Sequence, residues 1–151
     1  MGINLCMSNS FQDFNQALVK DLRANKGKAT LAPFTGGHLL ILTTKGAKSG
    51  EPREHPLAYS EDEGLHVVVA SKGGAPTHPA WFHNLKKHPI VTVEVEGETF
   101  KAKANVVEDD EEYERLYAQH AAIMPGFNEY RQKTSRKIPV IVLEPIEEAV
   151  A

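Results

Sequence analysis

The sequence of 151 residues contains a single cysteine, Cys6, so no disulfide can form within the chain. This excludes the small disulfide-stabilised domains of secreted proteins and predicts a reducing, cytoplasmic location. No residue pattern near Cys6 indicates activation of a thiolate, so it is not predicted to be a nucleophile.

Long apolar runs and an excess of positive charge are also missing. No run could span a bilayer, and no charged-then-apolar leader opens the chain. The 17 Lys and Arg against 20 Asp and Glu give a net charge of -3, which argues against a nucleic-acid partner. With 41% hydrophobic and 25% charged residues, the composition is typical of one soluble globular domain.

What the sequence does contain is a series of short strand patterns. Residues 90–95 alternate apolar and polar side chains, and Glu96-Gly97 predicts a tight turn into a partner strand. The predicted strands are 38–44, 52–60, 65–70, 90–95, 98–107 and 138–143, and the helices after the first are 79–87, 108–123 and 127–134.

Short turns between strands favour antiparallel pairing. About six antiparallel strands with helices only at the sides predict a mainly β (α+β) fold, a closed or split β-barrel with flanking helices. We divide the chain into an N-terminal helix and connector (residues 1–36), a barrel domain (37–145) and a tail (146–151).

Ser10 is predicted to cap the N-terminal helix, in which Phe11, Phe14, Leu18 and Leu22 share one face. The favoured interpretation is an ordinary amphipathic helix whose basic residues complement the helix dipole near its end. The alternative is a helix in weak peripheral contact with the inner face of an anionic membrane.

Residues 70–85 leave a buried strand, pass through Gly73-Gly74 and two prolines, and enter a helix that carries Trp81, the only tryptophan. Backbone N–H groups of such a loop can converge on one point. With Lys72 beside them they suit an anion or an electron-rich ring edge. The alternative is a plain connecting loop.

A second basic segment, KGAKSG over residues 45–50, connects two predicted strands. It is not a nucleotide-triphosphate loop, because Thr43 and Ala47 stand where that motif needs glycines and a strand follows. A solvated hairpin end is one interpretation. The other is a phosphate site shared with Lys72 at one barrel end and formed by Lys45, Lys48, Ser49 and Arg53.

Other chemistry is disfavoured. His78, His83 and His88 are spaced by five, which on a helix turns each away from the last, and no Cys or clustered carboxylate joins them, so no metal site is predicted. No nucleophile elbow surrounds a serine. The carboxylates at 109–112 are predicted to complement a helix dipole, and Trp81 and Phe82 are either core-facing or adjacent to a cofactor.

Four segments, in this order, resemble the deazaflavin (coenzyme F420)-dependent nitroreductase family of actinobacteria: LTTKGAKSGEPR (42–53), ASKGGAP (70–76), PAWFHNL (79–85) and KTSRKIPV (133–140). The resemblance covers roughly residues 37–145. It implies a split β-barrel of the FMN-binding type and an oxidoreductase that uses coenzyme F420. The acceptor of the hydride would be a small electron-poor molecule such as a quinone, a nitroaromatic or an enone.

The resemblance also implies site residues. Those for the cofactor are Lys45, Lys48, Ser49 and Arg53 at its phosphate and acidic tail, Pro56 and Leu57 in the ring pocket, and Ser71, Lys72, Gly73, Gly74, Ala75, Pro76, Trp81 and Asn84 around ring and phosphate. Ser71 and Tyr130 are implied as catalytic donors, and Met124, Phe127 and Tyr130 as the substrate pocket. Members active on bulky nitroimidazoles carry tyrosines across that pocket. Here only Tyr130 has a hydroxyl, which favours quinone reduction.

Two alternatives remain open from the sequence. A protein that stores or shields the deazaflavin without a specific acceptor needs the same two loops. A barrel that binds FMN lacks the extra basic charge required by an acidic tail, which Lys45 and Lys48 could provide here. The sequence makes no prediction of oligomeric state.

Overall fold

The structure is a computed structural model that describes residues 3–32 and 36–146, with no side chains described for residues 3–12. Within these residues the chain forms seven strands and four helices. They are α1 (Ile3–Ala24), β1 (Leu40–Lys45), β2 (Pro52–Leu57), β3 (Ser60–Asp62), β4 (Leu65–Val69), α2 (Ala80–Lys87), β5 (Ile90–Val95), β6 (Glu98–Val106), α3 (Asp110–Ile123), α4 (Gly126–Lys133) and β7 (Val140–Pro145).

All seven strands form one antiparallel sheet in the order β2-β1-β5-β6-β7-β4-β3. The two edge strands, β2 and β3, follow each other in the chain. Only three Cα–Cα steps separate Leu57 from Ser60, which is at most about 11 Å. The sheet must therefore curl until its two edges meet, which confirms the predicted mainly β barrel with flanking helices.

The predicted strand 52–60 is two strands instead of one. Leu57 pairs with Leu40, which is the first residue of β1, so the pairing of β1 with β2 stops there. Three residues later the chain pairs with β4 instead, Ser60 opposite Val67. Between β2 and β3, the Tyr59 hydroxyl donates to Oε1 of Glu96 in the β5–β6 turn at 3.2 Å. This crossing raises the strand count from six to seven.

The interior of the barrel is filled by inward-facing strand residues together with α2. Trp81, Phe82 and Leu85 of α2 are buried in the same cluster as Leu40 and Val68. A second cluster lies between β4, β7 and the helices α3 and α4, and a third lies beneath α1. Trp81 and Phe82 are thus core residues, at the end of the barrel where the chain passes from β4 into α2.

The N-terminal helix begins at Ile3, so the prediction that Ser10 caps it is wrong: the backbone at Ser10 is already helical. Leu18, Val19 and Leu22 are buried against the first strand, and the Arg23 guanidinium bonds Glu54 and Glu94. The side chains of Cys6 and Phe11 lie outside the part of the structure for which side chains are described. Among the described helices, none combines the length and apolar character needed to cross a membrane.

The other elements agree with the predicted pattern and shift only at their ends. Asp109 caps α3 by accepting the Glu112 N–H at 2.9 Å, which confirms the helix-start role of these carboxylates. β1 begins at Leu40 because His38 forms only an isolated bridge with Lys28. Strand β7 begins at Val140 and includes Pro145, which pairs with Ala102 at its end.

Candidate functional site

Both predicted loops lie at the same end of the barrel. In an antiparallel sheet, directions alternate from strand to strand, and β1 and β4 are separated by three strands, β5, β6 and β7. Strands β1 and β4 therefore run in the same direction, so the turn after Lys45 and the loop after Val69 leave the barrel together. Helix α2 follows that loop and contacts β1, which links the two segments.

The β1–β2 turn presents exposed cations. Lys45, Lys48, Ser49 and Arg53 are all exposed, and Arg53 Nη1 lies 3.7 Å from Glu51 Oε2. Neither lysine forms an ion pair within the part of the chain that the structure describes. Gly46 keeps the turn tight, since a Cβ there would lie 2.6 Å from Ser49 Oγ. Positive charge at this tip is available to an anionic ligand.

Helix α2 fixes this turn from below through Asn84. Its Oδ1 accepts the Ala47 N–H at 2.9 Å, and its Nδ2 donates to Thr44 Oγ1 at 3.0 Å. Lys87 Nζ donates to the Ala47 carbonyl at 2.8 Å. The buried Asn84 side chain therefore orients the hairpin; whether it contacts a cofactor stays a prediction.

His55 extends this polar chain and was missed by the sequence reasoning. Its Nε2 lies 3.1 Å from Thr44 Oγ1. Burial, assisted by the charge of Arg53, lowers the pKa of His55 to about 4, so the imidazole is neutral at pH 7. A usable signal existed, because alternation along β2 places Arg53 and His55 on one face.

Pro56 and Leu57 lie on opposite faces of the sheet. Leu57 pairs with Leu40 and packs on the interior cluster, whereas Pro56 pairs with Ile41, which packs beneath α1. Paired residues of antiparallel strands share a face, so the structure brings Leu57 to the barrel interior and Pro56 to the α1 side.

The second loop is compact and mostly turned inward. Residues Lys72–Gly74 form a 3-10 turn in which the N–H of Gly74 donates to the Ser71 carbonyl at 2.9 Å. Ser71 is buried, while Lys72 is exposed and its Nζ donates to Thr77 Oγ1 at 3.2 Å. Lys72 and Gly74 have φ of 47° and 82°, a left-handed backbone that is costly for a lysine.

Helix α4 packs directly on this loop. A Cβ at Gly74 would lie 2.9 Å from the Tyr130 carbonyl oxygen and 3.0 Å from Lys133 Cβ, so only glycine fits there. The Tyr130 ring contacts the Phe127 ring at 5.1 Å, and Met124 ends helix α3 beside them. The structure therefore brings the predicted substrate residues next to the predicted cofactor loop, with Ala75 and Pro76 leading from it to α2.

A buried histidine supports this arrangement from below. His120 is fully buried; its Nδ1 lies 2.8 Å from Ser60 Oγ and its ring centroid lies 4.4 Å from that of Phe127. Nε2 has no hydrogen-bond partner among the described residues. Burial lowers the pKa of His120 to about 4, so the side chain is neutral at pH 7.

His78 and His83 do not point away from each other, so that part of the metal argument is wrong. Helix α2 begins only at Ala80, and His78 lies before it, with its ring centroid 5.8 Å from that of His83. Among the residues whose side chains are described, no group of three or more His, Cys, Asp or Glu is placed to hold a metal ion.

Arg136, on the connector between α4 and β7, was quoted in a motif but not predicted as a site residue. Its guanidinium donates to the carbonyl oxygens of Ala70, Ser71 and Ala75 and to Nδ1 of His78. The signal available in the sequence was the motif itself, since nothing local predicts contacts with residues about sixty positions away.

Comparison with known proteins gives a family match over most of the chain. A family model described as F420H(2)-dependent quinone reductase matches residues 15–145. An F420H(2)-dependent quinone reductase of Mycobacterium tuberculosis is 41% identical over 106 residues, which cover 69% of this chain and 71% of that protein.

Two solved structures extend the likeness to the fold. An F420-H2 dependent reductase (FDR-A) is 38% identical with a TM-score of 0.64, covering 70% of this chain and 93% of the other. A protein described as a domain-swapped dimer is 32% identical with a TM-score of 0.67, covering 88% and 98%. The fold is therefore that of split-barrel reductases.

Proposed function

The chain belongs to the F420H(2)-dependent quinone reductase family, and from this premise we propose that its reaction takes place where the β1–β2 turn meets the Ser71–Pro76 loop. The protein is an oxidoreductase that uses coenzyme F420 to reduce a quinone-type acceptor. The observation that carries the location is the convergence of exposed cations, a glycine loop and Tyr130 at one barrel end.

The residues at this end fit the cofactor that the family implies. A phosphate and an acidic tail require several accessible cations. Lys45 and Lys48 are exposed on the turn without an ion pair among the described residues, and the exposed Arg53 has only the 3.7 Å contact with Glu51. The glycine loop beside them is held in one position, because its backbone at Gly74 packs on α4 with a Cβ position only 2.9 Å from the Tyr130 carbonyl oxygen.

When bound, the reduced deazaflavin supplies a hydride, because carbon replaces the flavin N5. The chain itself binds, orients and donates hydrogen bonds. We assign Lys45, Lys48, Ser49 and Arg53 to the phosphate and tail, and Leu57, Trp81 and Asn84, with the residues of the loop, to the ring side. Pro56 lies on the opposite face of β2, toward α1, and is not assigned to the cofactor. Trp81 acts from within the core and Asn84 by orienting the turn.

The acceptor would lie against Met124, Phe127 and Tyr130. The hydroxyls of Ser71 and Tyr130 are the donors assigned to the acceptor oxygen on which negative charge develops. The proton comes from Tyr130 or from solvent. With only one hydroxyl in the pocket, Phe127 and Met124 favour an apolar quinone over a nitroimidazole.

The decisive experiment is a fluorescence titration of the purified protein with coenzyme F420 and, in parallel, with FMN. We expect micromolar binding of F420, little binding of FMN, and turnover of F420H2 with a panel of quinones. Preference for FMN would overturn the cofactor assignment. Tight F420 binding without turnover on any quinone would favour a protein that stores the deazaflavin. If neither F420 nor FMN binds, the β1–β2 turn and the Ser71–Pro76 loop are ordinary surface turns.

Location and assembly are proposed separately. We infer a cytoplasmic enzyme from the single cysteine, with residues 37–145 as the cofactor-binding domain. Any membrane contact would involve the first turns of α1, because Leu18, Val19 and Leu22 are used in the core. Vesicle flotation tests that contact. Light scattering tests whether this chain dimerises, as the relative described as a domain-swapped dimer does.

A further inference from the structure

The Arg136 side chain connects the strand-to-helix loop to the last connector of the chain. Nε donates to the Ala75 carbonyl at 2.9 Å and Nη2 to the Ser71 carbonyl at 2.7 Å. Nη1 donates to the Ala70 carbonyl at 3.2 Å and to His78 Nδ1 at 3.0 Å. One side chain thus holds four positions of a nine-residue segment, residues 70–78.

The charge of Arg136 is balanced by dipoles instead of by a carboxylate. Within residues 3–32 and 36–146, the ion pairs found involve other cations, and none includes Arg136. Burial lowers the pKa of Arg136, but a guanidinium stays protonated in proteins. The half-buried charge therefore turns carbonyl oxygens toward itself.

The contact with His78 fixes the state of that ring. A guanidinium has five donors and no acceptor, so Nδ1 of His78 must be unprotonated and its proton must lie on Nε2. Burial lowers the pKa of His78, and so do the charged or titratable groups around it, which are Arg136 from the connector and His83 and Lys86 from α2. Each of them disfavours a second proton there.

We propose that Arg136 is a positioning residue that holds the Ser71–Pro76 loop in its ligand-binding conformation, with neutral His78 as the acceptor that completes the brace. The loop contains Lys72 in a left-handed backbone conformation, which a residue other than glycine keeps only when surrounding contacts impose it. With its carbonyls held by Arg136, the loop can present its other side to a ligand. This inference rests on the proposed function, because that ligand is the cofactor.

The first test follows amide hydrogen exchange of residues 70–78 in the cofactor-free protein. Arg136→Met should speed exchange there at least tenfold, and Arg136→Lys should also speed it, because one ammonium cannot replace the planar guanidinium. Lys137→Met is the matched control, since the adjacent Lys137 contacts Asp110 at 3.2 Å and no residue of the loop. Unchanged exchange in both Arg136 variants would overturn the proposal.

The second test measures the dissociation constant for F420 by fluorescence. Losing even one charge-assisted hydrogen bond predicts at least a tenfold rise for Arg136→Met, and no change for Lys137→Met. Faster loop exchange with an unchanged constant would overturn the positioning role. If the wild-type protein binds no F420, the proposed function fails, while the exchange data still decide whether Arg136 braces the loop. If Arg136→Met does not fold, Arg136→Lys carries both tests.

The third test measures how protection of the loop from hydrogen exchange depends on pH. A contact that does not involve a titrating group would show no such dependence. The brace needs neutral His78, so loop protection should be complete above pH 6.5 and lost as the pH falls through the lowered pKa of His78. His78→Asn keeps an acceptor but cannot titrate, so its loop protection should stay level. Parallel profiles for the two proteins would remove His78 from the brace.

Discussion

The two segments that form the site are built in opposite ways. The hairpin arm, residues 45–53, is exposed, carries three cations, and is held from below mainly by Asn84 and Lys87. The loop arm, residues 71–76, carries one cation, lies against α4 without space for a methyl group at Gly74, and is held by Arg136.

The two arms should therefore contribute to cofactor binding in different ways. Exposed cations on flexible side chains attract an anion over several ångströms without fixing its orientation closely, and salt screens them. A close-packed loop with left-handed residues fixes the position of whatever it touches. We therefore expect the hairpin arm to supply the salt-dependent part of cofactor affinity, and the loop arm to fix the position of the bound cofactor. Distorting the loop arm should then lower affinity at any salt concentration.

Gly74→Ala should break the loop arm with the largest effect. Its φ of 82° and the Tyr130 carbonyl 2.9 Å from a Cβ both oppose the methyl group. We expect F420 affinity to fall about a hundredfold or more, by the arithmetic of about 3 kcal/mol of strain and clash. Gly64→Ala is the matched control, because Gly64 has the same φ with nothing within 4 Å. Equal losses in both variants would mean that the contact with α4 is unimportant.

Acid should weaken the support of the loop arm at His120. Its folded-state pKa of about 4 is below 6.5, so the unfolded chain takes up the proton first. The contribution of neutral His120 to the free energy of unfolding is fully present above pH 6.5. It falls by up to about 3 kcal/mol as the pH approaches 4. Urea unfolding across this range measures it. His120→Gln should remove the His120 share of this fall and leave the share of His55, whose pKa is also lowered to about 4 by burial. A fall as steep as that of the wild type would mean that His120 does not contribute.

Arg53→Ala should weaken the hairpin arm with a smaller and different effect. Loss of one charge-assisted bond, about 1.5–3 kcal/mol, predicts a tenfold to hundredfold rise in the dissociation constant for F420. Turnover at saturating F420 should be nearly unchanged. Added salt should reduce the difference in dissociation constant between the variant and the wild type. Lys101→Ala, at an exposed position of β6, is the control. An unchanged constant would remove Arg53 from the cofactor site.

Asn84→Ala should give the smallest effect, because it loosens the hairpin arm without removing its charge. Two neutral hydrogen bonds, to Ala47 N and Thr44 Oγ1, are lost. With a net value of about 1 kcal/mol per bond, and part of it recovered by water, we expect a threefold to tenfold loss of affinity. Asn105→Ala, which removes a bond to Glu144, is the control. A loss as large as that of Arg53→Ala would mean that Asn84 itself contacts the cofactor.

The predictable part of the fold was encoded locally. Strict alternation over Ile90–Val95 and the Glu96-Gly97 turn predicted β5 and β6, and the acidic start of α3 predicted its cap. The break at Ala58-Tyr59 has no local signal, because neither residue is a turn former. It arises because β1 begins at Leu40, so Leu57 is the last residue of β2 that finds a partner there, while β4 offers a new partner to Ser60.

The predictable part of the site was its two loops, whose glycines and lysines are visible in the sequence. The supports of these loops were not predictable. Asn84 reaches Ala47, His120 reaches Ser60 and Arg136 reaches Ser71 across 37, 60 and 65 positions. Such pairs form only after the sheet has brought distant segments together, so no spacing rule identifies them.

The position of β7 in the sheet has a consequence for biosynthesis. Val140–Pro145 lies between β6 and β4, so it alone joins β2-β1-β5-β6 to β4-β3 through hydrogen bonds. The chain is synthesised from its N-terminus. Strand β4 therefore has no partner on its β7 side until some seventy later residues have been made. Arg136 emerges just before β7. The barrel and the proposed cofactor loop are therefore completed together, once β7 is available for pairing.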